Sequence, residues 1–365
     1  MSERRVGIGL IAVIVAAGWL SVYAQAGVRP LGGPRPGQIA RGVSIRRKGE
    51  TTSPYLKETE TITRPRILLN GVWQFSNARK LPALNPFDKK QLKNPQDAFP
   101  DPPTNEKPPE GGWQDVLIPS AAGYVFANAG SSRRGLDWYR RKFRVPAAWK
   151  GKRVILRFDS ISYEPVLYIN GRYVSWTRID RMPWQVDITK FVRFGRENGL
   201  DLRLRYAHRA YGKAWPNAFI GDVRSTRVGI LSNVFLMARP SVSTRNVFIK
   251  PSFRKKSLTV DYELGNDGKK AVTVRMESFV TDLAGKKVME LPGLKVTLAP
   301  GTVTKLSDTG RWEHPRLWSP SDPYLYLLET RLYSTSGRQP IDIQKERFGF
   351  REIRIEGGEF YVNGR

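Results

Sequence analysis

Cysteine is absent from the 365 residues, and histidine occurs only at positions 208 and 314. Without cysteine there are no disulfides, thiolate metal sites or cysteine nucleophiles, and two histidines so far apart argue against a histidine-built metal centre or proton relay. Helical periodicity is nearly missing as well. Acidic residues are scarce: 33 Asp and Glu stand against 61 Lys and Arg, a formal net charge of +28. A field of that sign attracts polyanions, whether nucleic acid, an anionic membrane surface or an acidic polysaccharide, and does not choose among them.

What is present begins with an apolar run from Val6 to Leu20, preceded by Arg4 and Arg5 and followed by Ala24-Gln25-Ala26. That order is the n-region, h-region and small-residue cleavage site of a signal peptide, so residues 1–26 are expected to be removed. The run is short for a hydrocarbon span of ~30 Å, which disfavours a retained membrane anchor. The expectation is an exported, periplasmic or extracellular protein, and nucleic acid loses most of its appeal as a partner. Residues 27–54 are rich in Gly, Pro and Arg and read as a flexible basic arm.

Beyond the arm the chain is a succession of strand patterns. The first domain, 55–240, opens at Leu69-Asn70-Gly71-Val72-Trp73-Gln74-Phe75, and a Pro- and Lys-rich insertion at 81–112 reads as a loop. Strands are predicted around Val116-Leu117-Ile118, Trp138 to Val145, Val154 to Phe158 and Val166 to Ile169. Asn170-Gly171 is a two-residue hairpin turn, and Asn198-Gly199 reads as a second turn before the alternating Leu200, Leu202 and Leu204. Ser175 to Trp184 reads as a loop. A second domain, 241–345, alternates at Leu258, Val260, Tyr262 and Leu264, turns at Gly265-Asn266-Asp267-Gly268, and alternates back at Val272, Val274 and Met276. The fold class is all-β, with one β-sandwich followed by an immunoglobulin-like β-sandwich.

Four motifs in order carry a resemblance: Leu69-Asn70-Gly71-x-Trp73-x-Phe75; Trp138-Tyr139-Arg140 with Phe143 and Pro146; Tyr168-Ile169-Asn170-Gly171-x-x-Val174; and Asp187-Ile188-Thr189. Together they resemble the sugar-binding jelly roll of family 2 glycoside hydrolases. Leu317-Trp318-Ser319-Pro320 is similar to the Trp-Ser-Pro signature of that family's second domain, with Trp318 expected in a core or domain seam. Residues 346–365, with Arg347-Phe348-Gly349-Phe350-Arg351-Glu352-Ile353 and a Gly357-Gly358 turn, resemble the junction at which the family passes into its (β/α)8 barrel. The resemblance implies a chain truncated before the barrel.

It also implies retaining hydrolysis of β-glycosides, which needs two carboxylates about 5 to 5.5 Å apart. In the family both are glutamates beyond the junction, so no catalytic residue is assigned here, and Glu346, Glu352, Glu356 and Glu359 are read as hairpin charges. Asp180-Arg181-x-Pro183 is similar to the galactosidase branch and departs from the glucuronidase pattern. The candidate carbohydrate-binding residues are Asp180, Arg181, Trp215 and Asp222; for the first two a purely structural ion pair is the competing reading. The partner implied is a β-glycoside oligosaccharide or polysaccharide, neutral or acidic, with no cofactor or metal assigned. A stand-alone carbohydrate-binding or envelope-associated sandwich protein is the alternative.

Overall fold

The computed structural model describes residues 60–76, 102, 104–120, 137–205 and 229–364, all within one compact unit. The signal segment, the basic arm, Trp215 and Asp222 lie outside the described residues. Among the described residues no helix is long and apolar enough to cross a membrane.

The first sandwich is built from β1 (Arg66–Leu68), β2 (Gly71–Ser76), β3 (Gln114–Ile118), β4 (Asp137–Arg144), β5 (Arg153–Ile169), β6 (Arg172–Trp176), β7 (Ile179–Asp187), β8 (Glu197–Arg205), β9 (Gly229–Ile230) and β10 (Val234–Arg239). Its organising element is β5. The N-terminal half of β5 pairs with β10 and β7 in one layer, and its C-terminal half pairs with β8 and β6 in the other. The sequence pattern suggested two strands here, yet one 17-residue strand runs through. Register shifts between Phe158 and Ser162 let the strand bend from one layer to the next, as bulges do. Pro165 has no N–H to give a ladder, and it stands between the last β7 pairing, at residue 163, and the first β6 pairing, at Val166.

Alternation sorts the side chains. Trp73, Phe75, Tyr139, Leu202 and Leu204 are buried at the inward phase, and the Phe75 and Tyr139 rings meet edge to face at 5.1 Å. Arg141, which falls on the Tyr139 and Phe143 face, is accommodated at the sheet margin. Its guanidinium lies over the Trp73 ring and donates to the Val72 carbonyl at 2.8 Å. Burial pulls this guanidinium below its usual pKa.

Asn170-Gly171 makes the expected tight turn, with φ of +52° and +75° matching the type I′ geometry that right-twisted strands require. Asn198-Gly199 does not turn. Both residues lie inside β8, and the Asn198 side chain instead braces the preceding loop, accepting from Arg193 N at 2.8 Å and donating to the Arg193 and Arg196 carbonyls at 3.0 Å. An Asn side chain that mimics backbone serves a loop as readily as a turn, and the dipeptide alone does not separate the two uses.

The second sandwich contains β11 (Val242–Ser252), β12 (Ser257–Asn266), β13 (Val272–Thr281), β14 (Lys287–Glu290), β15 (Leu294–Leu298), β16 (Val303–Arg311), β17 (Tyr326–Ser334) and β18 (Pro340–Phe348). One sheet runs β11-β12-β16; the other runs β14-β13-β17-β18, with β15 on the far half of β13. Between them Leu258, Val260, Tyr262 and Leu264 meet Val274, Met276 and Val280, all buried. Tyr262 stays there because its hydroxyl donates to Ser278 Oγ at 2.8 Å, and burial pushes its phenol well above the ordinary value.

The sandwiches are tied by a buried ion pair. Arg64, in the segment leading to β1, donates Nε and Nη2 to the two Asp342 oxygens at 2.7 and 2.6 Å, and Asp342 also accepts from Thr244 N at 2.8 Å. Arg64 Nη2 further donates to the Thr244 carbonyl at 2.5 Å, so both charges are hydrogen-bonded as well as paired.

Last comes a hairpin, β19 (Ile353–Glu356) and β20 (Glu359–Val362), turned by Gly357 and Gly358 at φ of +59° and +86°. It is latched to the second sandwich. Glu352 accepts from Ser252 Oγ at 2.9 Å and from Arg254 Nε at 2.5 Å, and Asn363 Nδ2 donates to the Trp318 carbonyl at 3.0 Å. Burial acts to raise the Glu352 pKa, but the hydrogen bonds and charge of Arg254 outweigh it and hold this carboxyl below the usual glutamate range. The sign follows: the latch contributes fully above the ordinary glutamate value and is lost as pH falls through the lowered one. Protection factors of the β19 and β20 amides, taken against the intrinsic exchange rate at each pH, are therefore expected to fall on acidification while those of β12 hold. An equal loss of protection in the hairpin and in β12 contradicts the assignment.

Candidate functional site

One end of the first sandwich carries the two described candidates, Asp180 and Arg181. At this end the chain leaves β8 at Arg205, paired with Glu164, and re-enters the sheet at Gly229, paired with Ser162. Ser120 bridges to Ile230, and Asp137 pairs with Leu204. The boundaries of the segments 121–136 and 206–228 thus converge on residues 162–164 of β5, beside the short connection between β6 and β7.

Asp180 and Arg181 sit here, on β7 rather than on a loop. The predicted loop at 175–184 is instead the end of β6, a two-residue link and most of β7, because a bulge at Ser162 lets β7 follow the bend of β5. Arg181 takes φ of +57°, an uncommon conformation for a residue with a Cβ. Asp180 Oδ1 accepts from Ser162 Oγ at 2.5 Å and lies 3.8 Å from Arg181 Nε. Both side chains keep substantial exposure, 39% and 47%, so a fixed carboxylate and a guanidinium face outward side by side. That is an acceptor and a donor set of the kind sugar hydroxyls require.

Sequence reasoning missed the charges buried next to them. Glu164 is fully buried and takes Arg205 Nη2 at 2.6 Å and Arg178 Nε at 3.0 Å, with Arg203 Nη2 at 3.5 Å from its other oxygen. Arg203 is itself 1% exposed and pairs with Glu106. The signal was available in part: Arg203 and Arg205 occupy the outward phase of a strand whose inward phase is Leu200, Leu202 and Leu204. At Arg203 that outward phase is covered from the 104–113 segment, where Glu106 pairs with it and Trp113 packs on Trp138, Val166 and Tyr168.

At the other end of the described chain, three of the four glutamates read as hairpin charges have local partners, and Glu346 lies not in the hairpin but in β18, opposite Leu328. Gln344 donates to Glu346 at 2.8 Å, Arg254 holds Glu352, and Arg354 pairs with Glu356. Trp318 packs against the backbone at Gly349, where a Cβ would stand 2.8 Å from the indole, and Trp318 N donates to the Phe350 carbonyl at 3.0 Å. Gly349→Ala is expected to unseat this indole and lower stability by about 1–3 kcal/mol, as overpacking does; a thermal melt unchanged from wild type contradicts that. Among the described residues no group of three or more His, Asp or Glu side chains could hold a metal ion.

Comparison with known proteins places these features in a family context. Residues 123–240 match the model described as "Glycosyl hydrolases family 2, sugar binding domain", and residues 242–351 match "Glycosyl hydrolases family 2". The chain is 24% identical over 329 residues to a β-galactosidase of Psychromonas ingrahamii, covering 81% of this chain and 29% of that protein. It is 23% identical over 250 residues to a β-glucuronidase of Formosa agariphila, covering 63% and 25%. Among solved structures, β-glucuronidase 2 of Bacteroides uniformis superposes with a TM-score of 0.61 at 21% identity, over 83% of this chain and 34% of that one. Similarity at that level shows the fold. The chain therefore spans between a quarter and about a third of the length of these relatives.

Proposed function

Because this chain carries the sugar-binding and immunoglobulin-like domains of glycosyl hydrolase family 2, we propose that it is the non-catalytic N-terminal scaffold of an exported, galactosidase-type retaining β-glycosidase. The two catalytic carboxylates of such an enzyme belong to the portion of the relatives that this chain does not span. Its own contribution is to hold a catalytic barrel and to present the Asp180–Arg181 end of the jelly roll to the β-glycoside.

The observation that carries this reading is the hairpin. Its register places Ile353 opposite Val362 and Ile355 opposite Phe360, so all four share one face. Ile353, Ile355 and Phe360 are 55%, 66% and 73% exposed, although the hairpin is latched to the second sandwich through Glu352 and Asn363. A rigidly held hairpin that turns a contiguous apolar face outward fits a covering domain. The galactosidase branch is favoured by Asp180-Arg181-x-Pro183.

The test is made on the native gene product. Ile355→Lys with Phe360→Lys is expected to abolish hydrolysis of an aryl β-galactoside while leaving the fold of the two sandwiches intact by circular dichroism. Full activity in that variant overturns the docking role, and a preference for an aryl β-glucuronide overturns the galactosidase assignment.

A further inference from the structure

Four cross-strand positions form a row on the outward face of the first sandwich: Ser76, Trp138, Arg203 and Val166, with Trp176 continuing it on β6. Directly opposite residues share a face, and this face is the one turned away from the Trp73–Tyr139 core. A second row sets Arg140, Asp201 and Tyr168 side by side, with Arg140 and Asp201 paired at 2.6 Å. Trp138 and Tyr168 are 0% and 4% exposed, and their rings lie 5.8 Å apart. Arg178 lies over the Trp176 ring at 4.9 Å. Aromatic rings interleaved with guanidiniums make a surface suited to sugars that carry a carboxylate: the rings take the C–H faces and the guanidinium forks take the charge.

Residues 104–113 cover this surface as a strap, and most of them are exposed on their own outer side. Trp113 anchors one end of the strap on Trp138, Val166 and Tyr168. Glu106 pairs with Arg203, Ser76 Oγ donates to the Gly111 carbonyl at 3.1 Å, and the Trp113 ring lies beneath Arg140 at 4.3 Å. The strap also fits imperfectly. Trp138 Nε1 and Arg203 Nε, both buried and at directly paired positions, find no hydrogen-bond acceptor among the described residues. Buried donors left unmet are costly, and an oxygen-rich ligand in the strap's place would meet them.

We infer that the Trp138–Arg203–Trp176 face is a binding site for acidic oligosaccharide, and that the strap occludes it with Glu106 standing where a uronate carboxylate would stand. The inference does not depend on hydrolysis, because the face belongs to the first sandwich, whereas the hairpin is latched to the second. The net charge of +28 favours the same class of ligand at long range.

The experiment titrates tetragalacturonate, with a neutral β-linked tetrasaccharide in parallel, into the full chain by calorimetry at low ionic strength. Glu106→Gln removes the competing carboxylate and is expected to tighten tetragalacturonate at least about tenfold without tightening the neutral sugar. Trp138→Phe in that background keeps the ring, loses the donor, and is expected to return part of the gain. Trp113 leaves the surface with the strap while the glycan covers Trp138 and Trp176. Acrylamide quenching in the wild-type chain is therefore expected to rise with tetragalacturonate through Trp113, and to lose that rise in Trp113→Phe. Unchanged affinity in Glu106→Gln, an equal gain for the neutral sugar, or quenching unmoved by the glycan overturns the inference, and the wild-type quenching decides alone should Glu106→Gln fail to fold.

Discussion

Asp342→Ala is expected to destabilise the protein by about 3–5 kcal/mol, the range seen when one partner of a buried ion pair is removed. Asp342 is fully buried and accepts two hydrogen bonds from Arg64 and one from Thr244 N. Truncation leaves the Arg64 guanidinium in a place where water cannot replace the lost carboxylate. The Arg64→Met and Asp342→Leu double variant is expected to recover part of the loss, because it removes both buried charges but takes from Thr244 N and the Thr244 carbonyl the partners they have here. Chemical denaturation of both variants checks this. A double variant as unstable as Asp342→Ala would mean that the pair holds the seam through geometry that apolar packing cannot reproduce.

Glu164→Ala has a comparable expected effect for a different reason. Glu164 is the fully buried carboxylate shared by Arg178, Arg203 and Arg205, and without it the three guanidiniums lose that common acceptor. Removing one partner from a buried charge cluster of this kind costs about 3–5 kcal/mol. Glu164→Gln keeps the shape and an acceptor oxygen but not the charge, and is expected to fall between wild type and Ala. The fluorescence of Trp176, which lies under Arg178, offers a local readout beside the global melt. Ala and Gln variants that both melt with wild type would show that the cluster is solvated and carries no such penalty.

The parts of the fold written in local pattern were readable in advance. Alternation at Leu258, Val260, Tyr262 and Leu264 and the Asn170-Gly171 and Gly357-Gly358 turns act through residues within a few positions of one another. The parts not read depend on distant partners. That β5 is one strand serving two sheets is decided by β7, β8 and β10, and the Asp159-Ser160 break and Pro165 look locally like strand ends. Asn198-Gly199 looks like a turn because its role as a brace is set by Arg193 and Asn170.

The candidate site divides in the same way. Asp180 and Arg181 came from a short motif, and the structure adds the strand that carries them and the Ser162 hydroxyl that fixes the carboxylate. Arg203 was passed over because a charged residue at the outward phase of a strand is ordinarily solvated. Its burial is produced by Glu106 and Trp113, about a hundred residues earlier in an insertion whose composition suggested only a loop.

The intact mass of the native polypeptide at its source bears most directly on the proposal that this chain is the scaffold of a larger exported β-glycosidase. A mass well above that of 365 residues, in an exported fraction, is the predicted result. A native mass matching residues 27–365 would contradict it and leave a carbohydrate-binding sandwich protein without its own catalytic carboxylates.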